Sequence, residues 1–338
     1  MDRKLTFKPG PTLRLNFIGL LGRFRQAGII FFIILLILAV SLRSPYFFKL
    51  DNFRDILLNI AILVIVALGQ TMVIITRGFD LSVGSMVAVT AMIVSFMNRF
   101  YPGIPVPLLV LLSLALGAGL GGMNGLMITL GRVPPIIATL GTLSIYRGLV
   151  FLYANGSWVN AFQMSKTFKL LSKDSPLGLP NLVIYAIIVA VIVYYFLKYT
   201  HLGRDIYTVG SNPEAAKVAC IRTQRIIFLV FTLSGLLCGL AWILWASRFE
   251  AAQTNTAAGL ELESIAASVV GGVSILGGAG TVTGVVLGAL LLGIIENALT
   301  LVRISPFWQM AVQGLLILAA VIFDSTVSKR LQISKANR

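Results

Sequence analysis

Acidic side chains inside apolar segments are the residues of this sequence best placed to do chemistry. Asp80, Glu296 and the pair Glu261 and Glu263 each lie in or beside a long apolar run. A charged side chain inside hydrocarbon costs several kcal/mol, so acids in such places mark binding, capping or proton relay. The lone histidine, His201, lies in a polar stretch, where a solvated surface position is the simpler interpretation.

A catalytic constellation is not evident in the sequence. No histidines, cysteines or paired carboxylates converge at a spacing typical of an enzyme, and Cys220 and Cys238 have neither metal nor redox spacing. The sequence also contains no Gly-x-x-x-x-Gly-Lys-Ser/Thr phosphate loop. We therefore expect no enzyme activity, no ATP hydrolysis, and neither a cofactor nor a metal site in this chain.

The elements that position these residues are predicted to be membrane-spanning helices. Of the 338 residues, 57 % are hydrophobic and only 12 % are charged, whereas about a quarter of the residues in a soluble domain are charged. Several apolar runs reach the roughly 20 residues that cross a bilayer as a helix. The fold class is therefore an all-α polytopic membrane protein.

About ten spans are expected, including a short or broken one. They are 28–42, 56–76, 81–97, a glycine-rich span at 106–130, 135–153, 181–198, 226–246, the short or broken crossing at 264–278, 282–300 and 307–323. The membrane domain thus covers 28–325. A basic N-terminal segment, 1–27, precedes it, and a basic tail, 326–338, follows it.

The net charge of +15 is explained by clusters that flank the spans. Such clusters mark cytoplasmic sides, which places both termini and the loop 199–225 in the cytoplasm. The basic residues concerned are Arg3, Lys4, Lys8, Arg14, Arg23 and Arg25, then Lys198, Arg204, Lys217, Arg222 and Arg225, and finally Lys329, Arg330, Lys335 and Arg338. No basic helix is interleaved with aromatics, so nucleic-acid binding is not expected.

A faint internal echo predicts an inverted repeat. Its first copy starts at the inner side of the membrane and its second at the outer side, which is a common architecture in transporters. The copies are Asp80–Ser85 with the later Asn124 and Pro135, and Glu261–Ser264 with the later Asn297 and Pro306.

The cytoplasmic loop contains a helix-start signal. Asn212 is a capping residue, Pro213 suits the first helical position, and Glu214 suits the first turn. The short helix that follows would present a small apolar face, and its size fits a groove on a cytoplasmic partner. That face consists of Ala215, Ala216, Val218 and Ala219.

This loop resembles the coupling-helix loop of sugar-type ABC permeases, in which Gly-Arg and an aromatic precede Gly-x-Asn and acidic-Ala-Ala. The matching residues are Gly203, Arg204, Tyr207, Gly210, Asn212, Glu214, Ala215 and Ala216. Other segments resemble the same family in the same order between residues of about 55 and 325. They are Leu68–Thr76, Phe79–Ser85, Asn124–Gly125, Thr139–Gly148 and Gly271–Gly280.

The resemblance implies an ABC importer permease of the bacterial inner membrane that works by alternating access on a monosaccharide or sugar-like molecule. It implies two ATP-binding cassette subunits, which bind the ATP and Mg²⁺, a second permease that is identical or homologous, and a periplasmic or lipid-anchored substrate-binding protein. The matching loop residues would couple the permease to the ATPases. Arg77–Asp80, Tyr146–Gly148 and Gly156–Trp158 look closest to autoinducer-2 and rhamnose permeases, because ribose-type permeases usually have glycine where Arg77 stands.

Polar residues near the second and third spans are candidates for the substrate pathway. Gln70 and Thr71 suit the lining of a path for a neutral polyol. Asp80, with Ser82 as helper, would cap the third span at a break, which is the simpler interpretation, or accept hydrogen bonds from sugar hydroxyls. Arg147 would pair with Asp80 or extend to the membrane interface.

Further candidates lie later in the chain. Asn124 and Asn297 would bond across helices or line the pathway, and Glu296 is an intramembrane acid. Trp242 and Trp245 suit stacking on a sugar, but we favour the alternative that they anchor the membrane interface.

Two alternative transporter functions remain open at this point. An ion-coupled secondary transporter would use the few buried acids for coupling. A permease for branched-chain amino acids, which belongs to the same superfamily, would need an exposed helix N-terminus or an arginine for the substrate carboxylate, and Arg77 or Arg147 meets that need.

Overall fold

A computed structural model describes residues 11–173 and 178–305, together with scattered residues between 308 and 322, and it describes side chains from Gln26 onward. Residues 1–10, most of the predicted span 307–323 and the tail 326–338 lie outside the described residues.

The described part of the chain is helical. Its α-helices are α1 (Pro11–Arg43), α2 (Leu50–Ile75), α3 (Val83–Phe100), α4 (Val106–Thr129), α5 (Pro135–Ala154), α6 (Lys166–Lys169), α7 (Asn181–Tyr199), α8 (His201–Ser211), α9 (Pro213–Val218), α10 (Thr223–Phe249), α11 (Leu260–Val270) and α12 (Val282–Leu301). Two short 3-10 helices cover Pro45–Phe48 and Ala161–Gln163. The one extended pairing among described residues is a bridge between Val159 and Ala252.

Eight of these helices are long and apolar enough to cross a membrane: α1, α2, α3, α4, α5, α7, α10 and α12. They confirm a polytopic all-α protein and match eight of the predicted spans. The predicted broken crossing corresponds to α11, whose 11 residues extend only about 16 Å. This helix is too short to cross the hydrocarbon core alone.

The long helix α2 forms the centre of the bundle and is buried from Ile60 to Ile75. It packs against α7, α10, α11 and α12, and α10 also packs along α4. Glycines allow α4 and α10 to approach closely: a methyl group added to Gly121 would lie 2.9 Å from the Cα atom of Gly235. Small residues permit this backbone contact between membrane helices.

Two spans are interrupted, and the interruptions meet. The chain leaves α2 at Ile75 and begins α3 at Val83, and it leaves α10 at Phe249 and begins α11 at Leu260. The starts of α3 and α11 touch, because a methyl group on Gly84 would lie 2.5 Å from the carbonyl oxygen of Ala257. Helix α3 runs away from the end of α2, whereas α11 runs toward it, and these opposite directions support the predicted inverted repeat.

The close contact between α4 and α10 predicts a steric penalty at Gly121. Gly121→Ala should lower the free energy of unfolding by about 1–3 kcal/mol, because the added methyl group meets backbone atoms that have no room to move. Thermal unfolding of the detergent-solubilised protein measures the change. Gly119→Ala is the matched control, since open space surrounds Gly119; equal midpoints for the two variants would contradict the packing described.

Candidate functional site

Helix α9 begins where the capping signal predicts. The Asn212 Oδ1 atom accepts hydrogen bonds from the backbone N–H groups of Glu214 and Ala215, both at 3.1 Å. Pro213 occupies the first helical position, where its missing N–H group costs no hydrogen bond. The Glu214 carboxylate accepts a hydrogen bond from the Lys217 ammonium at 2.8 Å. The sequence therefore stabilises this two-turn helix locally.

The residues predicted to couple the chain to a partner fall into two groups in the structure. Arg204, Asn212, Glu214 and Ala215 are exposed, whereas Gly203, Gly210 and Ala216 are buried. The predicted apolar face of α9 is therefore wrong at Ala216, which points into the protein. The surface that α9 presents to solvent consists of Glu214, Ala215, Lys217, Val218 and Ala219.

Helix α8, which precedes α9, was missed by the sequence prediction. Its N-terminus is capped by Thr200, whose Oγ1 atom accepts a hydrogen bond from the Gly203 N–H group at 3.0 Å. Its inner face buries Ile206 and Val209. The signal was present as a threonine cap followed by apolar residues at helical spacing from Leu202.

Arg77 joins the end of α2 to the end of α8. The Arg77 Nε atom donates to the Gly210 carbonyl oxygen and Nη2 donates to the Ser211 carbonyl oxygen, each at 2.6 Å. The backbone of Arg77 has a φ of 65°, a left-handed conformation that reverses the chain after α2. Gly210 packs directly against the Ile75 carbonyl, where a side chain has no room.

The glycine-rich loop 271–280 closes the same junction. The Gly278 N–H group donates to the Ile75 carbonyl oxygen at 2.9 Å, and the Tyr207 hydroxyl donates to the Gly280 carbonyl oxygen at 2.9 Å. Burial raises the pKa of Tyr207, so the phenol remains a donor at neutral pH. We call this meeting of the C-termini of α2 and α8 with loop 271–280 the junction.

A buried polar cluster lies at the break before α3. The Asp80 Oδ1 atom accepts hydrogen bonds from the Ser82 N–H group at 3.0 Å and the Ser82 hydroxyl at 2.7 Å. Asn124 Nδ2 donates to the same hydroxyl oxygen at 2.7 Å, and the Gln70 amide pairs with the Asp80 backbone at 3.2 and 3.3 Å. Asp80 thus binds Ser82, the residue that precedes α3, and its role as a cap or as a sugar ligand stays a prediction.

Thr71 and Asn297, two other predicted pathway residues, bond across helices. The Thr71 hydroxyl donates to the Ala67 carbonyl oxygen at 2.7 Å and lies 3.0 Å from the Ser268 hydroxyl on α11. Asn297 on α12 exchanges two hydrogen bonds with Asn52 on α2, at 2.7 and 3.2 Å. Both residues attach α2 to its neighbours.

Two further expectations are corrected by the structure. Arg147 does not pair with Asp80: its Nη1 atom donates to the carbonyl oxygens of Thr254 and Thr256, at 3.1 and 3.0 Å. Trp242 is wholly buried and therefore does not anchor a membrane interface.

A cavity of about 470 Å³ lies at the end of α10 that is farther from α9. Its lining is formed by Trp245, Phe249, Ala251, Gln253, Asn255, Thr256, Ala257, Ala258, Leu260 and Glu263. Two smaller cavities of about 150 and 220 Å³ adjoin it, and both are lined by Glu263 and Glu296. Of the residues that the sequence suggested for contact with a sugar, Glu296 lines the two smaller cavities and Trp245 lines the main cavity and one smaller one. Sequence reasoning missed the loop 251–258, which has no periodic pattern.

The structure combines a helical bundle with two interrupted spans, a capped helix outside the bundle and a polar cavity at the opposite end. This is the architecture of a polytopic transport subunit. The chain belongs to the family described as "Branched-chain amino acid transport system / permease component", whose model matches residues 52–321. It is thus a transport component of the inner membrane and not an enzyme.

Curated relatives cover most of the chain. The ribose import permease protein RbsC of Escherichia coli is 39 % identical over 297 residues, which is 87 % of this chain and 91 % of the relative. The same protein from Bacillus subtilis is 35 % identical, covering 92 % and 95 %. The autoinducer 2 import system permease protein LsrC of Yersinia enterocolitica is 38 % identical, covering 82 % and 76 %. No solved structure matches the chain.

These identities confirm the family recognised from the sequence. Ribose and autoinducer-2 permeases match at similar levels, so they support membership of the sugar-type permeases and do not favour one substrate within that group. The preference for autoinducer-2 or rhamnose permeases, which rests on Arg77 and two short motifs, stays a prediction.

The cluster at the break predicts a stability role for Ser82. Ser82→Ala should destabilise the protein by about 1–3 kcal/mol, because buried Asp80 and Asn124 both lose a partner. Thr129→Ala is the control, since the Thr129 hydroxyl bonds only to the Gly125 carbonyl of its own helix. Chemical denaturation of the solubilised variants compares the two. A Ser82→Ala variant as stable as the control would show that the cluster contributes nothing.

The junction predicts that Arg77 restrains α8 and α9. Arg77→Met removes two charge-assisted hydrogen bonds, so backbone amides of residues 201–218 should exchange with deuterium about tenfold faster. Hydrogen–deuterium exchange read by mass spectrometry measures this. Lys217→Met, which removes an exposed cation on α9 itself, should leave α8 unchanged. Unaltered exchange in Arg77→Met would mean that packing alone holds the two helices.

Proposed function

We propose that this chain is one of two permease subunits of an ABC importer that moves a monosaccharide or sugar-like molecule inward by alternating access. The observation that carries the proposal is the exposed face of α9, held through the junction to both interrupted spans. The energy of ATP hydrolysis would be transmitted to the permease through α9, and the spans would move in response.

The coupling role of α9 follows from its size and its attachment. A two-turn helix does not cross a membrane and is too short to be stable alone, yet here Asn212 caps it and the end of α8 carries it. Its exposed Ala215 and Val218 offer a small apolar surface beside Glu214. Such a helix suits a groove on a cytoplasmic partner, which we assign to an ATP-binding cassette subunit.

The proposed contact between α9 and an ATPase subunit implies further partners. The two ATPase subunits would bind the ATP and Mg²⁺, a second permease, identical or homologous, would complete the pathway, and a periplasmic or lipid-anchored binding protein would deliver the substrate. The chain's own residues supply the path and the linkage. Arg204 and Asn212 are exposed near α9 and are placed to contribute to the ATPase contact.

A neutral sugar is favoured over an amino acid as the substrate, because the arginine side chains are already hydrogen-bonded within the protein. Arg77 and Arg147, which an amino-acid carboxylate would need, both donate to backbone carbonyls instead. The N-terminus of α11 is likewise unsuited to an anion, because Glu261 and Glu263 occupy its first turn and complement the helix dipole themselves. The substrates for which the relatives are named, ribose and autoinducer 2, agree with this preference.

An ion-coupled carrier is less supported, because the family and the relatives are described as permease components of transport systems. Asp80 accepts hydrogen bonds from Ser82 through one of its carboxylate oxygens. In proteoliposomes that contain the complete importer, D-ribose uptake should stop without ATP and should survive a protonophore. Uptake that collapses with the proton gradient would favour secondary transport.

Changing the exposed face of α9 should uncouple transport from hydrolysis. The double variant Glu214→Lys with Ala215→Leu puts bulk and the wrong charge on the docking surface, so sugar uptake per ATP hydrolysed should fall about tenfold or more. Both rates are measured in proteoliposomes. Lys198→Glu, a charge reversal at the end of α7, is the control for surface charge. Normal coupled uptake in the double variant would refute the assignment of α9.

A further inference from the structure

We propose that the cavity bounded by Trp245, Phe249, loop 251–258 and Glu263 binds a neutral, hydroxyl-rich substrate during its passage through the permease. This inference rests on the proposed importer function and locates the substrate within it. The site differs from the cluster of Gln70, Asp80, Ser82 and Asn124, none of which lines the cavity.

The lining has the chemistry that a sugar requires. The Trp245 and Phe249 rings lie 4.6 Å apart at 40° and offer flat apolar surface to the C–H face of a sugar ring. Gln253 and Asn255 carry amides that both donate and accept hydrogen bonds, and the Glu263 carboxylate accepts them. A volume of about 470 Å³ lies within the range of about 300–1,000 Å³ typical of small-molecule sites.

Glu263 is the residue on which this site depends most. It lines the main cavity and both adjoining ones, so this residue lies where the three spaces adjoin. Glu296, from α12, lines the two smaller cavities with it. Arg248 lines one of these cavities beside both acids, so the path offers carboxylate acceptors and guanidinium donors to the hydroxyl groups of a polyol.

The cavity wall is connected to the interrupted spans. Arg147 on α5 holds the carbonyls of Thr254 and Thr256, and the Ala257 carbonyl packs against Gly84 at the start of α3. Loop 251–258 is thus supported from behind by the helix that follows the α2 break. Movement of α3 relative to α11 would change the shape of this wall. A change in the side of the membrane to which the cavity opens would therefore also alter substrate binding.

Transport by the complete importer in proteoliposomes tests the site. The probes are radiolabelled D-ribose, L-rhamnose and L-leucine, each with excess binding protein. Glu263→Gln and Trp245→Ala should lower sugar uptake about tenfold, while ATP hydrolysis stimulated by the loaded binding protein stays at the wild-type level. Glu250→Gln is the matched control, because Glu250 pairs with Lys169 at 2.7 Å on the same face and does not line the cavity. Uptake equal to that of the control in both variants would overturn the proposal.

Thiol labelling gives a second measurement that does not depend on ATP coupling. Asn255→Cys, in a chain with Cys220→Ser, places a thiol in the cavity, and Cys238 is buried. The transported sugar should slow its reaction with a membrane-impermeant maleimide, and L-leucine should not. Protection by leucine, or by no probe, would refute a polyol site. If the wild-type importer moves none of the sugars with ATP, the proposed function fails, and labelling still decides whether the cavity binds them.

Discussion

Backbone polar groups that lie inside the membrane need partners within the protein, and this constraint shapes the two interrupted spans. Unsatisfied N–H and C=O groups cost several kcal/mol each in hydrocarbon, so a helix can end there only where other groups receive its free ends. At the end of α2 the Ile75 carbonyl accepts from Gly278. Beside it, outside the spans, Arg77 donates to the carbonyl oxygens of Gly210 and Ser211 at the end of α8. The end of α2 is therefore held at the junction, where α8 and loop 271–280 meet it.

The same constraint connects functions that are distant in the chain. The end of α2 is bonded to loop 271–280 and to the end of α8, which carries α9, so these elements are fastened to one another. The second break is likewise held by Arg147 and by the contact between Gly84 and Ala257. Two arginines whose sequence context suggested substrate carboxylates serve instead to neutralise backbone dipoles.

Local signals were the part of this structure that the sequence could predict. Apolar length located eight spans, and the Asn212-Pro213-Glu214 signal located α9, because both depend on residues that are neighbours in the chain. The inward orientation of Ala216, the partners of Arg77 and Arg147 and the cavity wall could not be predicted. They depend on contacts between residues that are far apart in sequence, and loop 251–258 has no periodicity to reveal them.

Helix α2 extends over 26 residues, or about 39 Å, and is fastened near both ends. At one end stands the junction, and near the other Asn52 exchanges hydrogen bonds with Asn297. A rigid rod held in this way acts as a lever: a tilt of about 5° at the junction displaces its far end by about 3 Å. A small displacement at the junction therefore also moves the end of α2 at which Asn52 is bonded to Asn297.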